Sequence, residues 1–198
     1  MISRLILASG NEGKLREFRR LLSPHGVSLI AQSELAIPEA EEPHQTFVEN
    51  ALAKARHASA LGKLPALADD SGLCVAALAG APGVHSARYA GLPPSDPRNN
   101  AKLVAALQGE TDRRAHYYCV LVLVRHAADP EPLIAEGVWR GTFIDQARGT
   151  GGFGYDPHFQ DAATGLTGAE LPLERKNELS HRGQAMRVLL ARIGALEV

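Results

Sequence analysis

Three short apolar runs divide the first seventy residues of the chain. They cover residues 5–8, 27–31 and 64–68, and they are rich in leucine, isoleucine and alanine. Runs of this length without strict alternation are typical of strands that are buried on both faces. We therefore predict three buried strands in this part of the chain.

Amphipathic segments separate these strands. Apolar residues recur at helical spacing over residues 14–22, which predicts a first helix. A second helix is expected to begin at Thr46, because Thr46 and Glu49 have the spacing of a capping box, and to end at Gly62. The order strand–helix–strand–helix–strand indicates an α/β fold.

The second half of the chain continues this pattern. A helix is predicted over residues 95–109, followed by β-rich segments at residues 116–124 and 133–144 and a last helix at residues 180–196. The two β-rich segments are expected to pair antiparallel, which makes the sheet mixed. We predict one α/β domain over residues 1–198, with a mixed central sheet flanked by helices and two lobes around a cleft.

Composition and charge narrow the class of protein. The 198 residues are 45% hydrophobic and 22% charged, and 21 basic and 22 acidic side chains give a net charge of −1. A nucleic-acid polymer is therefore not an expected partner. No apolar stretch approaches the roughly 20 residues that span a bilayer, so no membrane is expected. The two cysteines lack zinc spacing, and a cytoplasmic location is the simplest assignment.

Two adjacent carboxylates, Asp69 and Asp70, follow the third predicted strand. In open α/β sheets, ligands bind beyond the carboxyl ends of strands. If the chain turns at Gly72, both carboxylates serve one site, where one binds Mg²⁺ and the other orients water or a lysine. The alternative is a polar turn in which one aspartate caps the next segment.

A glycine turn follows the first predicted strand and leads into the first helix. Its residues are Ser9, Gly10, Asn11, Glu12, Gly13 and Lys14. Backbone N–H groups at the start of a helix favour an anion, and Lys14 would add a full positive charge. The Walker A pattern is absent. The alternative is an ordinary strand-to-helix turn with a solvated lysine.

An acidic loop, residues 37–45, precedes the second helix and contains Glu42. A glutamate in such a loop is usually solvated, and Glu42 becomes relevant only if the fold brings it near Asp70. Asn50, Lys54 and His57 lie on one face of the helix. This stripe lines a site or is simply the wet face of an amphipathic helix.

The glycine-rich loop, residues 149–154, matches the Gly-x-Gly-x-x-Gly pattern. A dinucleotide site is rejected, since Tyr155-Asp156-Pro157 follows and no helix can begin there. Phe153 instead stacks on a flat base or anchors a core. Farther along, Lys176, Ser180, His181 and Arg182 form a basic group near the start of the last helix, where cations oppose the helix dipole.

Taken together, these segments resemble the inosine triphosphate pyrophosphatase family, also described as dITP/XTP pyrophosphatases. The resemblance spans nearly the whole chain. It rests on six blocks in order, which are Leu7-Ala8-Ser9-Gly10-Asn11 through Lys14, Thr46-Phe47-Val48-Glu49-Asn50-Ala51 with Lys54-Ala55, Ala68-Asp69-Asp70-Ser71-Gly72-Leu73, Gly80-Ala81-Pro82-Gly83 through Ser86-Ala87-Arg88-Tyr89, Gly151-Gly152-Phe153-Gly154-Tyr155-Asp156-Pro157, and Lys176 with Ser180-His181-Arg182-Gly183-Gln184-Ala185.

The resemblance implies that a non-standard purine nucleoside triphosphate (dITP, ITP or XTP) is hydrolysed to the monophosphate and pyrophosphate with Mg²⁺, in a nucleotide-binding cleft of a homodimer. It makes Asp70 the proton acceptor and Glu42 and Asp70 the metal ligands. It also implies a set of substrate-binding residues, which are Ser9, Gly10, Asn11, Glu12, Gly13, Lys14, Lys54, Ser71, Phe153, Gly154, Tyr155, Asp156, Lys176, His181 and Arg182.

The residue types suit this chemistry. The guanidinium group of Arg182 can only donate hydrogen bonds, so it matches the acceptor oxygen of a 6-oxo purine. The 6-amino group of adenine is itself a donor and could not accept a hydrogen bond from Arg182. The chain departs from the family where Pro43-His44 replaces a frequent Thr-Gly and where Arg140, beside Trp139, replaces a common proline.

Two alternatives remain. A related pyrophosphatase for pyrimidine or modified nucleotides would carry Ser-Arg-Arg where this chain has Gly10-Asn11. A non-catalytic nucleotide-binding module would not need the aspartate pair.

Overall fold

The computed structural model describes residues 3–195, and within them the strands form one six-stranded sheet in the order β2-β1-β3-β4-β5-β6. The strands are β1 (Arg4–Ala8), β2 (Ser28–Ala31), β3 (Ala66–Val75), β4 (Arg114–Val124), β5 (Leu133–Phe143) and β6 (Phe159–Asp161). The helices are α1 (Glu12–Leu22), α2 (Phe47–Gly62), α3 (Asp96–Ala106), α4 (Leu173–Leu179) and α5 (His181–Ala195).

The sheet is mixed. Strand β1 pairs parallel with both β2 and β3, whereas β5 and β6 pair antiparallel. Helix α1 packs on β2, and α2 packs on β1. The predicted α/β class, with helices flanking a mixed sheet, is therefore confirmed. No helix within residues 3–195 has both the length and the apolar character that a membrane crossing requires.

The described chain divides into two compact units. The first unit contains residues 3–70, 120–136 and 185–195, and the second contains residues 71–119 and 137–184. The single domain and the two lobes around a cleft stay predictions.

The core of the first unit is built on β1. Leu5, Ile6 and Leu7 are completely buried, as expected for a strand with parallel neighbours on both sides. Helix α2 contributes alanines to this core, and a side chain at its last residue, Gly62, would collide with Ile6. Small residues therefore let α2 approach β1 closely, which fixes the position of the polar face of the helix.

The core of the second unit is aromatic. Tyr117, Trp139 and Phe159 contact one another with ring centroids 4.8–5.9 Å apart. The indole N–H of Trp139 donates a 2.7 Å hydrogen bond to Asp161, so its one polar atom is satisfied in the core.

Three predictions of secondary structure were wrong or incomplete. The third strand does not end before Asp69 but runs through Val75, and the chain does not turn at Gly72. Strand β6 and helix α4 were not predicted. The last helix begins at His181, and its predicted end at Leu196 lies outside the described residues, as do Met1 and Ile2.

The connection between β4 and β5 is held by a buried carboxylate. Asp129 Oδ2 accepts hydrogen bonds from the backbone N–H and Nε of Arg125, at 2.9 and 2.8 Å, and Oδ1 accepts from the N–H of Glu131 at 3.0 Å. The pKa of Asp129 lies well below its usual value, chiefly because of the hydrogen bonds from the Arg125 side chain. The ionised carboxylate therefore contributes stability.

We expect Asp129→Asn to lower the free energy of unfolding by about 1–3 kcal/mol at neutral pH, because an amide cannot replace both acceptor oxygens. The folded pKa is depressed, so this contribution is present above the unfolded pKa of about 4 and is lost as the pH falls below it. Urea unfolding of both proteins between pH 7 and pH 3 should show the difference shrinking at acid pH.

Asp112→Asn is the matched control, since Asp112 forms a similar local pair with Arg114 on the surface. Solvent screens such a pair, and no measurable loss is expected. A loss for Asp129→Asn that stayed constant down to pH 3 would contradict the role given to its charge.

Candidate functional site

Strand β3 sends its two aspartates to opposite faces of the sheet. In an extended chain successive side chains alternate, and the absence of a turn at Gly72 leaves Asp69 and Asp70 pointing apart. Asp69 pairs with Lys14 at the start of α1, and Asp70 pairs with Lys54 on α2. The chain does not turn here, so the condition for both carboxylates to serve one site is not met, and each aspartate orients a lysine.

The turn between β1 and α1 is ordered by its own side chains. Asn11 caps α1, accepting a 3.0 Å hydrogen bond from the N–H of Lys14, and Ser9 Oγ accepts one from the N–H of Asn11 at 3.2 Å. A side chain at Gly10 would collide with Glu39 of the acidic loop. Gly13 lies within α1, and the side chain of Glu12 lies outside the described structure. The turn therefore presents Lys14 at a fixed place.

Lys54 joins the acidic loop to β3. Its ammonium lies 2.8 Å from Glu42 Oε1 and 2.8 Å from Asp70 Oδ1. Burial disfavours its charge, yet the attraction of Asp70 and Glu42 outweighs this, and the pKa of Lys54 is raised. Burial also raises the pKa of Asp70, only partly opposed by Lys54 and reinforced by the like charge of Glu42. Glu42 is thus brought close to Asp70, the condition that sequence reasoning set for its relevance.

The rest of the polar stripe on α2 fastens the acidic loop to the helix. The side-chain amide of Asn50 exchanges two 3.1 Å hydrogen bonds with the backbone N–H and C=O of His44. His57 Nε2 lies 2.9 Å from the carbonyl of Pro38. The stripe is therefore not simply a solvent-exposed face of the helix, because its side chains hold the loop that carries Glu42.

The pair Glu42 and Asp70 fits a divalent cation. Asp70 Oδ2 is buried and has no hydrogen-bond partner, which is costly for a carboxylate oxygen. Mg²⁺ is usually held by one or two carboxylates together with water and substrate phosphates. Among residues 3–195, no group of three or more His, Cys, Asp or Glu side chains is arranged to hold a metal alone. The donor set suits a cation shared with a phosphate ligand.

Asp156 is the hub of a second cluster, which lies in the second unit. Its Oδ2 accepts hydrogen bonds from Lys176 Nζ at 2.6 Å and from the N–H of Phe153 at 2.8 Å, and its Oδ1 lies 3.4 Å from the hydroxyl of Tyr117. Lys176 Nζ and the guanidinium of Arg182 lie 5.1 and 5.9 Å from the centre of the Phe153 ring. An aromatic ring that is 44% exposed is thus held beside two cations.

The remaining predicted residues of the second unit join this cluster. His181 stacks on Tyr117 at 4.7 Å between ring centroids, and Arg182 donates a 3.1 Å hydrogen bond to Ser71 Oγ. Tyr155 is different, since its ring lies in the hydrophobic core and its hydroxyl donates to the carbonyl of Ser86 at 2.8 Å. Only the backbone of Tyr155 is left for a ligand.

Close packing explains Gly149, Gly151 and Gly152 of the glycine-rich loop, whereas Gly154 has open space around it and a positive φ of 64°. A side chain at Gly149 would lie 2.5 Å from the backbone of Ala169, and one at Gly152 would collide with the carboxylate of Asp156. The loop is followed by a turn and not by a helix, in agreement with the rejection of a dinucleotide fingerprint.

A sequence model described as the Ham1 family matches residues 5–192. The chain belongs to the Ham1 family. A dITP/XTP pyrophosphatase of Chromobacterium violaceum is 61% identical over 196 residues, covering 99% of this chain and 100% of the relative. One from Ralstonia nicotianae is 63% identical over 197 residues, covering 98% of each chain. The family resemblance carried by the six motifs is confirmed.

Solved structures of the Ham1 family have the same fold. A HAM1 protein from Coxiella burnetii superposes with a TM-score of 0.92 at 46% identity, covering 98% of this chain and 100% of that one. The Ham1 protein of Staphylococcus aureus gives a TM-score of 0.88 at 38% identity, covering 98% and 99%.

Sequence reasoning missed several residues that hold the two clusters. Asp69 was given a place in the site only on the condition of a turn at Gly72, and neither Tyr117 nor Asn100 was assigned to it. Asn100 and Asp96 are separated by one helical turn and both bind Gly154. Their i, i+4 spacing was the available signal. The roles of the predicted substrate and metal residues stay predictions at this point.

We expect Asp69→Asn to lower the free energy of unfolding by about 3 kcal/mol, since it leaves the Lys14 ammonium without its buried counter-ion. This is the lower end for breaking a buried pair, because the Lys14 side chain is 17% exposed while that of Asp69 is 0% exposed. Guanidinium unfolding measures the loss.

Glu34→Gln is the control for this prediction. Glu34 pairs with Arg19, which lies on α1 as Lys14 does. The side chains of Glu34 and Arg19 are both about half exposed, at 52% and 49%. Such a pair contributes about 0–1 kcal/mol. Equal losses in the two variants would show that burial does not give the Lys14–Asp69 pair its strength.

Proposed function

We propose that this protein hydrolyses the non-standard purine nucleoside triphosphates dITP, ITP and XTP to the monophosphate and pyrophosphate, and so removes them from the nucleotide pool. One observation carries the proposal: Asp70 is a buried carboxylate with a raised pKa and an unpartnered oxygen, held beside Glu42 by the ammonium of Lys54. Its family relatives are named dITP/XTP pyrophosphatases.

Asp70 acts as the proton acceptor. The water oxygen attacks the α-phosphorus, the bond between this phosphorus and the oxygen bridging to the β-phosphate breaks, and pyrophosphate leaves with the electron pair. The proton released by the water passes to Asp70. A general base works best when its pKa lies near the working pH, and burial shifts Asp70 in that direction.

Two lysines and the turn after β1 bind the triphosphate. Lys14 is oriented by Asp69 and Lys54 by Asp70, so each ammonium is preorganised for anionic oxygens. Backbone N–H groups at the start of α1 add to this field. The residues of the turn in this role are Ser9, Gly10, Asn11, Glu12 and Gly13.

Glu42 and Asp70 hold a divalent cation, and Mg²⁺ is the ion that two carboxylates and a polyphosphate suit best. When it is bound, the cation neutralises charge that develops on the phosphate oxygens. Lys54 keeps the two carboxylates together and offsets part of their repulsion.

The cluster around Asp156 binds the nucleoside. Phe153 offers an exposed ring for stacking on the purine, and Arg182 supplies guanidinium donors to a 6-oxo group. Asp156 accepts a hydrogen bond from the backbone N–H of Phe153, and the ammonium of Lys176 lies over one face of its ring. Ser71, Gly154, Tyr155 and His181 complete this part of the site.

One assay separates this function from its alternatives. Protein incubated with Mg²⁺ and dITP should release pyrophosphate. A pyrophosphatase for pyrimidine or other modified nucleotides would leave dITP intact but cleave its own substrates in a wider panel. A non-catalytic nucleotide-binding module would bind dITP and release nothing.

We expect Asp70→Asn to lower dITP hydrolysis by at least about 10²-fold, because the amide cannot accept the proton of the attacking water. Initial rates of pyrophosphate release measure the effect, and circular dichroism checks that the fold is retained. Asp145→Asn, at an exposed carboxylate paired with Arg113, should retain the parent rate. Full activity in Asp70→Asn would remove Asp70 from the mechanism.

We expect Arg182→Gln to narrow the preference for dITP over dATP at least tenfold in kcat/KM, since glutamine offers both a donor and an acceptor to the 6-position. Arg175→Gln is the control, because Arg175 is an exposed arginine paired with Glu178 on α4. If both arginine variants kept the parent preference, recognition of the 6-oxo group would lie elsewhere.

The proposal includes the setting of the reaction. The substrate is a small nucleotide of the cell's own pool, so the enzyme works in the cytoplasm. It works there as a homodimer, as the family resemblance implies. Light scattering at micromolar concentration would give twice the mass of one chain for a homodimer.

A further inference from the structure

We propose that Asp96 and Asn100 on α3 are positioning residues for Phe153, and that they set the affinity of the enzyme for the base of its substrate. This inference rests on the proposed function, in which Phe153 stacks on the purine. It assigns a task to two residues that touch neither the phosphate-binding lysines nor the reacting atoms.

The contacts that carry the inference converge on Gly154, the residue after Phe153. Asp96 Oδ2 accepts a 2.7 Å hydrogen bond from the Gly154 N–H. Asn100 Nδ2 donates a 2.9 Å hydrogen bond to the Gly154 carbonyl. Because Asp96 and Asn100 are one helical turn apart, α3 holds both polar groups of a single backbone residue.

The peptide on the other side of Phe153 is held as well. The N–H of Phe153 donates to Asp156 Oδ2, and Asp156 is itself fixed by Lys176. Both peptide groups that flank the ring are therefore tethered, one by Asp156 and the other by α3. The backbone torsions at Phe153 cannot change far without breaking one of these hydrogen bonds, so the point from which the ring projects is fixed.

The hydrogen bonds from Asp96 and Asn100 are important for the position of the loop, because an open groove separates much of the loop from α3. A groove of about 710 Å³ lies between the helix and residues 150–154 and is lined by small side chains such as those of Ala101 and Ala105. Gly152 and Gly154 adopt positive φ angles of 73° and 64°, and they retain the wide conformational freedom of glycine. The ring of the next residue, Tyr155, is anchored in the core, and the two contacts from α3 hold the backbone of Gly154 itself.

The burial of Asn100 supports a positioning role over a purely structural one. Asn100 is 9% exposed, and its Oδ1 is buried without a hydrogen-bond partner. A half-satisfied buried amide is a poor stabiliser of a fold. Its preceding neighbour Asn99 is the opposite case, since Oδ1 accepts from the N–H of Ala90 at 2.7 Å and Nδ2 donates to the carbonyl of Ala87 at 3.0 Å.

The two contacts require opposite chemistry, which makes conservative variants informative. Position 96 must accept a hydrogen bond, so Asp96→Asn should keep the contact and Asp96→Ala should lose it. Position 100 must donate, so Asn100→Asp should fail as Asn100→Ala does, because a carboxylate would face the Gly154 carbonyl.

The test measures steady-state kinetics with dITP and amide hydrogen exchange over residues 149–155. We expect Asp96→Ala and Asn100→Ala each to raise KM about tenfold with kcat within about twofold, the usual effect of losing one hydrogen bond that preorganises a binding group. Exchange of the glycine-rich loop should accelerate in both variants. The double variant should be little worse than either single one, because both residues act on Gly154.

Asn99→Ala is the matched control, because Asn99 is a buried asparagine on the same helix that holds a different segment. It should lose stability without raising KM for dITP. Inorganic tripolyphosphate serves as a base-free competitive inhibitor, and its inhibition constant should be unchanged in all variants. A parallel loss of tripolyphosphate binding would mean that the fold, and not the base contact, had been damaged.

The outcomes separate this inference from the function on which it rests. If the parent protein does not release pyrophosphate from dITP, the proposed function fails. If the parent is active but Asp96→Ala and Asn100→Ala keep the parent KM, or Asn100→Asp behaves as the parent does, only the positioning role is overturned. Unchanged hydrogen exchange in the alanine variants overturns it independently of any substrate.

Discussion

The alternation of side chains along β3 is the constraint on which both buried lysine–aspartate pairs depend. Because the strand stays extended through Asp69 and Asp70, the two carboxylates leave the backbone on opposite faces. Each face carries a different helix with a different lysine, and each lysine is fixed by one carboxylate. A turn at this point would have placed two negative charges together and left one lysine without an anchor.

The environment of Asp70 gives the site its chemical character. Burial, reinforced by the like charge of Glu42, raises the pKa of Asp70 despite the attraction of Lys54 and Lys14. A buried carboxylate oxygen without a hydrogen-bond partner, beside a second carboxylate, favours a cation, and a cation in turn favours phosphate oxygens. Stability alone would not retain such an arrangement.

The sequence was sufficient where local rules govern the structure. The capping residues of α2, the buried run of β1 and the rejection of a dinucleotide fingerprint depend on neighbours within a few residues. It was insufficient where tertiary pairing decides. The extent of β3 could not be predicted, because a strand with two charged residues is stable only when lysines from two helices neutralise them. The contacts of Asp96 and Asn100 could not be predicted, because their partner, Gly154, lies more than fifty residues away.

The glycine-rich loop shows why a sequence motif alone does not define a binding site. Elsewhere the Gly-x-Gly-x-x-Gly spacing lets a helix approach a pyrophosphate. Here two of its glycines, Gly149 and Gly151, let a loop approach Ala169, and Gly152, which lies between pattern positions, approaches Asp156. Glycine permits that close approach but leaves the backbone free to move. The polar side chains of α3 and Asp156 remove this freedom at the two peptides beside Phe153. The loop therefore combines flexible residues with fixed attachment points on both sides of an exposed aromatic ring, which lowers the conformational entropy that would be lost if the loop were ordered further.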